Sequence, residues 1–425
     1  MSTDSFVKEP ARQLPVVGEY DVLVAGGGMA GVAAALAAVR LGARVCLIER
    51  YCALGGLATL GNVTVWLPLC DGMGNQVVAG LGEELLKLSV ADLRQNHPAS
   101  RFTRVPSCWQ PGGCPDERHQ TRYRVEFNPA TYMLALERKV VEAGIHLYYD
   151  TRVCAVHKEG QRISHVVVEN KSGRTALGCR TVVDATGDAD ICVLAGEQTV
   201  SLDTNVLAGW CYTLTHGELK LHKLSNRYSP RAERCNAVAP FFRGDDATQV
   251  TDHIVQTRAK VRQLLDRLRE QHPTDDPQLI MPATMACFRM TRRIESDFTL
   301  GEQHMHQWFA DTIGLTGDWR KRGPVYAIPL ACLMGVATFN LLAAGRCISV
   351  DNTAWDALRA IPPCVVTGEA AGTAAALSAC HTAGDVQALP YGLLRDQLRQ
   401  QGVLLDRTLV TGGDQYERNT HDNAQ

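Results

Sequence analysis

The 425-residue sequence predicts an α/β chain: a largely parallel sheet with an antiparallel β-meander, carrying an inserted α+β domain. Three observations lead there. Residues 20–50 read as a buried strand, a glycine turn, a helix and a second buried strand. A run of short β segments spans 145–184. A strand followed by an Ala-rich helix then returns at 340–376. One hydrophobic core rarely organises a chain of this length, so two interleaved domains are expected.

Asp21–Ala25 is an unbroken apolar run, as a central parallel strand covered on both faces requires. Gly26-Gly27-Gly28-Met29-Ala30-Gly31 follows, placing G-x-G-x-x-G at Gly26, Gly28 and Gly31. Val32–Leu41 is helical, Gly42 ends it, and Arg44–Ile48 is a second buried strand leading into Glu49. In this arrangement Gly26 permits a tight turn, Gly28 admits a pyrophosphate to the backbone, and Gly31 lets helix and strand approach closely. The helix start, with Met29 and Ala30, offers free amides and the positive dipole end to phosphates. Glu49 is placed to accept the hydroxyls of an adenosine ribose.

The fingerprint alone does not choose between NAD and FAD. A second small-residue cluster follows at once, Leu54–Gly61, where backbone can pass close to the rest of a long ligand. A third such element lies near the C-terminus, too distant in sequence to serve only the adenosine end. Both point to FAD on a Rossmann-like domain.

Asn128-Pro129 starts a helix that Gly144 stops, with Asn as cap and Pro in the first turn. Strands are expected at 145–149, 153–157, 163–169 and 180–184, the last running into Ala185-Thr186-Gly187-Asp188-Ala189-Asp190. Thr186 and Gly187 permit close cofactor contact; Asp188 and Asp190 serve either as polar contacts or as the cap of the next helix. Asn340–Arg346 reads as a strand ending in Gly-Arg. Beyond Pro362-Pro363, the run Thr367–Ala376 is strongly helical with glycines in its first turns, placed to aim its N-terminus at a flavin pyrimidine.

With these motifs in view, the chain resembles the FAD-dependent oxidoreductases of the glutathione-reductase and fumarate-reductase-like class. Within that class it is most similar to the bacterial and archaeal group related to heterodisulfide reductase. The resemblance covers Asp21–Gly61, Asn128–Asp190, Ala283–Phe298 and Tyr326–Ala376. The late signature stands here as Ile328–Leu333, Leu341–Ser349, Arg359-Ala360-Ile361-Pro362 and Gly368–Ala376. It implies pyrophosphate contact at Gly26–Gly31 and ribose contact at Glu49 and Arg50. Contact with the isoalloxazine and ribityl groups is implied for Gly55, Gly56, Ala58, Thr59, Gly345, Arg346, Gly372 and Thr373, and adenine contact for Val153 or Cys154. Two departures stand out. The family's R-E-S-R-R-I is Arg289-Met290-Thr291-Arg292-Arg293-Ile294 here, and its S-A-T-H-E-A is Ser349-Val350-Asp351-Asn352-Thr353-Ala354. An acid and a histidine that could carry protons are thereby lost.

The cofactor domain is expected to be discontinuous, over 15–61, 128–200 and 326–385. Residues 62–127 and 201–325 would form the substrate cap, and 386–425 a C-terminal helical segment and polar tail. Thr251–Gln271 reads as an amphipathic helix with Ile254, Val255, Leu264, Leu265 and Leu268 inside. Arg289, Arg292 and Arg293 either clamp a substrate carboxylate or bridge the domain junction. Arg289, Arg359 and Asn352 are the candidates for contact with the reacting atoms.

Lys+Arg 43 against Asp+Glu 45 leaves a net charge of −2, no footprint for a nucleic-acid partner. No apolar run reaches the ~18 residues of a membrane span, and Met1–Tyr20 lacks a signal-peptide core. The 15 cysteines form no C-x-x-C pair, and the nearest (Cys46/Cys52, Cys108/Cys114) are too widely spaced for zinc or iron–sulfur frameworks. Reduced thiols, a cytoplasmic location and no metal site are expected. With no P-loop or nucleophile elbow, kinase and hydrolase chemistry are set aside. The expected activity is hydride transfer between flavin N5 and a small organic substrate, with the electron donor or acceptor open and a homo-oligomer allowed. The alternatives are an electron-transfer component of a larger redox complex, against which the missing cysteine ladders speak, or a non-redox flavoprotein.

Overall fold

The computed structural model describes residues 7–94, 124–228 and 240–411; Cys108, Cys114 and the polar tail from 412 lie outside them. The main sheet has seven strands: β1 (Val16–Ala25), β2 (Val45–Ile48), β3 (His146–Tyr148), β4 (Arg152–Glu159), β5 (Arg162–Asn170), β6 (Gly173–Asp184) and β7 (Leu341–Ala343). Strands β3, β2, β1, β6 and β7 lie parallel in that order, with Val24 opposite both Leu47 and Val183. The 12-residue β6 is long enough to be shared. Its first half pairs antiparallel with β5, which pairs with β4 as the meander, and its last residues pair with β7. Val22–Ala25 and Val45–Ile48 are buried throughout, because helices cover one face and the meander side covers the other.

Helix α1 (Met29–Arg40) follows the glycine turn. Helix α2 (Pro129–Glu142) starts as the sequence indicates, with Asn128 Oδ1 accepting from the Ala130 amide at 3.0 Å. Helix α3 (Ile361–His381) crosses α1 at backbone contact: a Cβ on Gly368 would stand 2.2 Å from the Ala30 carbonyl oxygen, and one on Gly372 2.0 Å from that of Ala34. Small residues one turn apart on both helices permit that approach.

This corrects one expectation. Helix α3 begins at Ile361, so Gly368 and Gly372 lie in its middle. Pro362 and Pro363 are tolerated because first-turn residues have no helical acceptor for an N–H.

The segment 201–325, expected as the cap, holds an antiparallel sheet of Ala208–Thr215, Glu218–Ser225 and Gln278–Pro282, against which packs the helix Ala247–Gln271. That helix starts ahead of Thr251 because Asp246 caps it, accepting from the Gln249 amide at 2.8 Å. Its buried face is His253, Thr257 and Val261, while Val255 is 56% exposed, so the inward stripe read from the sequence is rotated. A division at 325/326 would cut the hairpin of Thr312–Gly317 with Val325–Pro329. The C-terminal helix Tyr391–Gln400 leans on that hairpin, Tyr391 Oη donating to the Thr312 carbonyl at 2.7 Å. Among the described residues, no helix is long and apolar enough to cross a membrane.

Candidate functional site

One groove runs over the carboxyl ends of the parallel strands, the usual ligand position in such sheets. Two adjoining cavities make it up, sharing Gly26, Glu49, Arg50 and Thr186. At one end Thr151, Arg152, Val153, Val193 and Leu194 enclose a slot beside β4. At the other, Gly55–Ala58, Met285, Ala344–Arg346, Arg359, Ile361 and Cys364 close round a second chamber. Three distant stretches of sequence thus wall one elongated space.

The three fingerprint glycines differ in their surroundings as the proposed division of labour requires. Gly26 has φ +101°, a left-handed conformation, and a Cβ there would meet the Ala185 carbonyl at 2.4 Å. A Cβ on Gly31 would lie 1.7 Å from the Gly26 oxygen. Gly28 has nothing within 4 Å of its Cβ position, so the space beside the start of α1 is open at the point where a pyrophosphate would meet the helix amides. Glu49 is 6% exposed and borders both cavities. Its Oε2 accepts from the Gly27 amide at 2.6 Å and its Oε1 from the Tyr51 amide at 2.8 Å. Burial raises its carboxyl pKa, and those two amides oppose the shift. A carboxylate accepts about four hydrogen bonds, so two remain for ribose hydroxyls.

The loop after β6 is organised by Asp184. Its Oδ1 accepts from the Thr186 amide (3.1 Å) and hydroxyl (2.6 Å), and its Oδ2 from the Cys192 amide at 3.0 Å. Neither Asp188 nor Asp190 caps the next helix, whose N-cap is Ala189; Asp190 borders the slot beside β4, while Asp188 lines neither cavity and binds protein side chains. Asp188 accepts from the Thr291 hydroxyl at 2.7 Å and pairs with Arg50 and Arg346, each at 3.4 Å. Asp190 pairs with Arg292 at 2.7 Å. Burial, then the neighbouring charges of Asp188 and Asp184, push its carboxyl up to about 6 against the pull of Arg292 and Arg50. Arg292 also donates to the Asp188 carbonyl at 2.8 Å. The segment 288–292 thus straps the cap to the β6 loop.

Of the residues read from the sequence, Gly26, Gly28, Met29, Ala30, Glu49, Arg50, Gly55, Gly56, Ala58, Val153, Thr186, Gly187, Gly345, Arg346 and Arg359 all line the groove. Others are placed elsewhere. Thr59 is buried, its hydroxyl donating to the Leu54 carbonyl at 2.6 Å, and it braces the turn from behind. Cys154 points across the meander to the Val167 carbonyl. Gly372 faces Ala34 of α1, and the Thr373 hydroxyl donates to the Glu369 carbonyl at 2.7 Å inside α3. Asn352 opens the short helix Asn352–Leu358 and lines neither cavity; the cap there is Asp351, which accepts from the Thr353 and Ala354 amides.

The sequence reading missed Tyr51, Thr151, Arg152, Met285, Ile361 and Cys364 as groove residues. Ile361 and Cys364 carried a usable signal, since Pro362-Pro363 marks a helix start. Met285 had none, because it reaches the groove only through the cap's crossing. Thr367, whose hydroxyl accepts from the Gly345 amide at 3.0 Å, was also missed.

The donor set and the open cradle at Gly28 fit an adenine dinucleotide, and the second chamber past Gly55 and Gly345 gives room for the flavin end. Fold and groove together define a dinucleotide-binding flavoprotein. The chain belongs to the FAD dependent oxidoreductase family, whose model matches residues 21–205 and 202–398, and FAD is its cofactor. A curated relative, the tRNA uridine 5-carboxymethylaminomethyl modification enzyme MnmG of Mycoplasma mycoides, is 29% identical over 171 residues, 40% of this chain and 24% of that protein. The chain therefore aligns with about a quarter of that relative's length. Among solved structures, a geranylgeranyl bacteriochlorophyll reductase-like protein from Thermoplasma acidophilum matches at TM-score 0.44 and 13% identity, over 90% of this chain and 83% of the other. The OxyS anhydrotetracycline hydroxylase from Streptomyces rimosus matches at TM-score 0.43 and 15% identity, over 90% and 66%.

Proposed function

We propose that the protein is a two-electron oxidoreductase acting on a small organic substrate, the bound flavin exchanging hydride with that substrate through N5. The observation that carries this reading is the continuous groove. Its far chamber is bounded by cap residue Met285 as well as by cofactor-domain residues, so a substrate would be held between the two. Arg346 and Arg359 supply positive charge at that end. Helix α3 adds its N-terminus, where Ile361 keeps an N–H and the next two residues, both proline, have none. The apolar side chains of Met29, Leu57, Met285 and Ile361 line the same chamber, and a ligand that displaces water from it would strengthen those charges.

Purified protein should show flavin absorbance near ~450 nm and lose it when an oxidisable substrate is added without oxygen. Turnover with an oxidised spectrum throughout would refute hydride transfer and favour non-redox use of the cofactor.

A further inference from the structure

We infer that Arg359, on the chamber wall, and Arg289, next to it but lining neither cavity, together take the carboxylate of a small organic acid. This deepens the redox reading above, and rests on it, by naming the substrate class. Three guanidinium groups lie together, Arg359 among them as a wall residue of the chamber, and two of them have acidic partners. Arg320 grips Asp318 through Nε at 2.9 Å and Nη2 at 2.7 Å. Arg359 places Nε and Nη2 on Asp356 Oδ1 at 3.0 and 2.7 Å, and Asp356 also meets Arg320 at 3.4 Å. Arg289 has the Ser225 hydroxyl at 2.7 Å and the ring of Tyr228, 4.8 Å from its centroid. Among the described residues no carboxylate lies within 4 Å of it.

Tyr228 cannot supply the missing negative charge. Burial, then the nearby Asp356 carboxylate, push its phenol up to about 12. Arg289 itself is drawn down to about 10, first by burial and then by repulsion from Arg359. It stays protonated at neutral pH, so a largely buried cation with no acid partner among the described residues is held beside another cation. An anion answers that imbalance.

The backbone that carries Arg289 is anchored on both sides. Asn205, 2% exposed, accepts from the amides of Arg289 (2.9 Å) and Met290 (3.2 Å). Arg346, a wall residue, donates to the carbonyl of Phe288. The other arginines of the same run are occupied differently: Arg292 with Asp190, and Arg293 buried with Nη1 on the Ile294 carbonyl. Tyr228, Trp319 and Met285 give the neighbourhood an apolar character that suits an organic acid over free phosphate. A planar guanidinium also matches a carboxylate in shape.

The test uses the FAD-loaded protein, titrated with benzoate, succinate, inorganic phosphate and the uncharged benzamide while the flavin spectrum is followed. Saturable perturbation by a carboxylate, with none from benzamide and weaker binding of phosphate, is expected. Arg289→Gln should raise the carboxylate Kd about tenfold or more with FAD content unchanged. Should that variant not hold FAD, Arg289→Lys decides: weaker carboxylate binding supports the site, an unchanged Kd overturns it. No perturbation by either acid, equal binding of benzamide, tighter binding of phosphate, or a wild-type Kd in Arg289→Gln each overturns it. The two readings fail separately. Bleaching only by substrates without a carboxylate removes the acid and keeps the redox chemistry. Arg289-dependent carboxylate binding with no bleaching by any substrate does the reverse.

Discussion

Substituting Gly28 separates what the fold needs from what the cofactor needs. Gly28 has φ −67° and ψ −178°, an extended conformation open to alanine, and its Cβ would meet no protein atom within 4 Å. Gly28→Ala should therefore fold as well as the wild type, or gain about 0.4–1 kcal/mol through a less flexible unfolded chain. The added methyl would instead project beside the first turn of α1, where the pyrophosphate must approach. Losing one charge-assisted hydrogen bond costs about 1.5–3 kcal/mol, so FAD affinity should fall by about tenfold to a hundredfold. Gly31→Ala is the opposite case. Its Cβ would sit 1.7 Å from the Gly26 carbonyl oxygen, forcing helix and strand apart at a cost of about 1–3 kcal/mol or more. Denaturant unfolding of the apoprotein and titration with FAD by flavin fluorescence measure the two effects. A Gly28→Ala protein with wild-type FAD affinity, or one as destabilised as Gly31→Ala, would refute the reasoning.

Burial holds the Glu369 carboxyl up at about 8, while the Leu81 amide and Arg40 pull it down and Glu84 raises it; an unfolded glutamate titrates near about 4.3. The native state thus keeps a proton the unfolded chain loses between those values, and stability falls as pH rises through that window, by on the order of 5 kcal/mol in all. Glu369→Gln, which keeps an acceptor for the Leu81 amide, should gain on the wild type from pH 5 to 8 in denaturant unfolding; a pH-independent difference contradicts this. Gly372→Ala should lower the unfolding free energy by about 1–3 kcal/mol or more, since its Cβ meets the α1 backbone at 2.0 Å; wild-type stability would mean that α1 and α3 are not in backbone contact. Asn205→Ala leaves two buried amides without their acceptor and should cost about 2–4 kcal/mol in the same measurement, against near-neutrality if water replaces the side chain.

The β1–α1–β2 unit was legible because each of its signals is local: buried strands, a glycine spacing, and an acid closing the second strand. Helix α2 announced itself through Asn128-Pro129 for the same reason. What the sequence hid was the partner of each small residue. Gly372 and Gly345 look alike in the chain, yet one faces another helix and the other lines the groove, and only tertiary packing distinguishes them. The same limit rotated the helix Ala247–Gln271. His253 and Thr257 go inward because a thin cap sheet covers only a narrow stripe, which leaves Val255 in solvent. Asn352 stands where the family pattern has a histidine, but the Asp351 cap settles the start of its helix and no wall of the groove reaches it.

The arginines divide along the groove. Arg50, which borders both cavities, and Arg346, on the wall of the flavin chamber, share Asp188, and at the adenosine end Arg292 has Asp190. Each of these guanidiniums reaches a carboxylate of the β6 loop, so they act as architecture, with three cations on two carboxylates. At the flavin end, Asp318 and Asp356 serve Arg320 and Arg359, while Arg289 is held by a hydroxyl and an aromatic ring. A side chain kept only for stability would gain by exchanging that position for a neutral group, because a partly buried cation without an acid partner pays the desolvation cost with little in return. Its two-sided backbone anchoring, through Asn205 and through Arg346 on Phe288, makes sense if the charge is presented to something that arrives. The same test divides the original run of three: Arg292 is paired with Asp190, Arg293 is turned into the strand, and Arg289 has a hydroxyl and an aromatic ring.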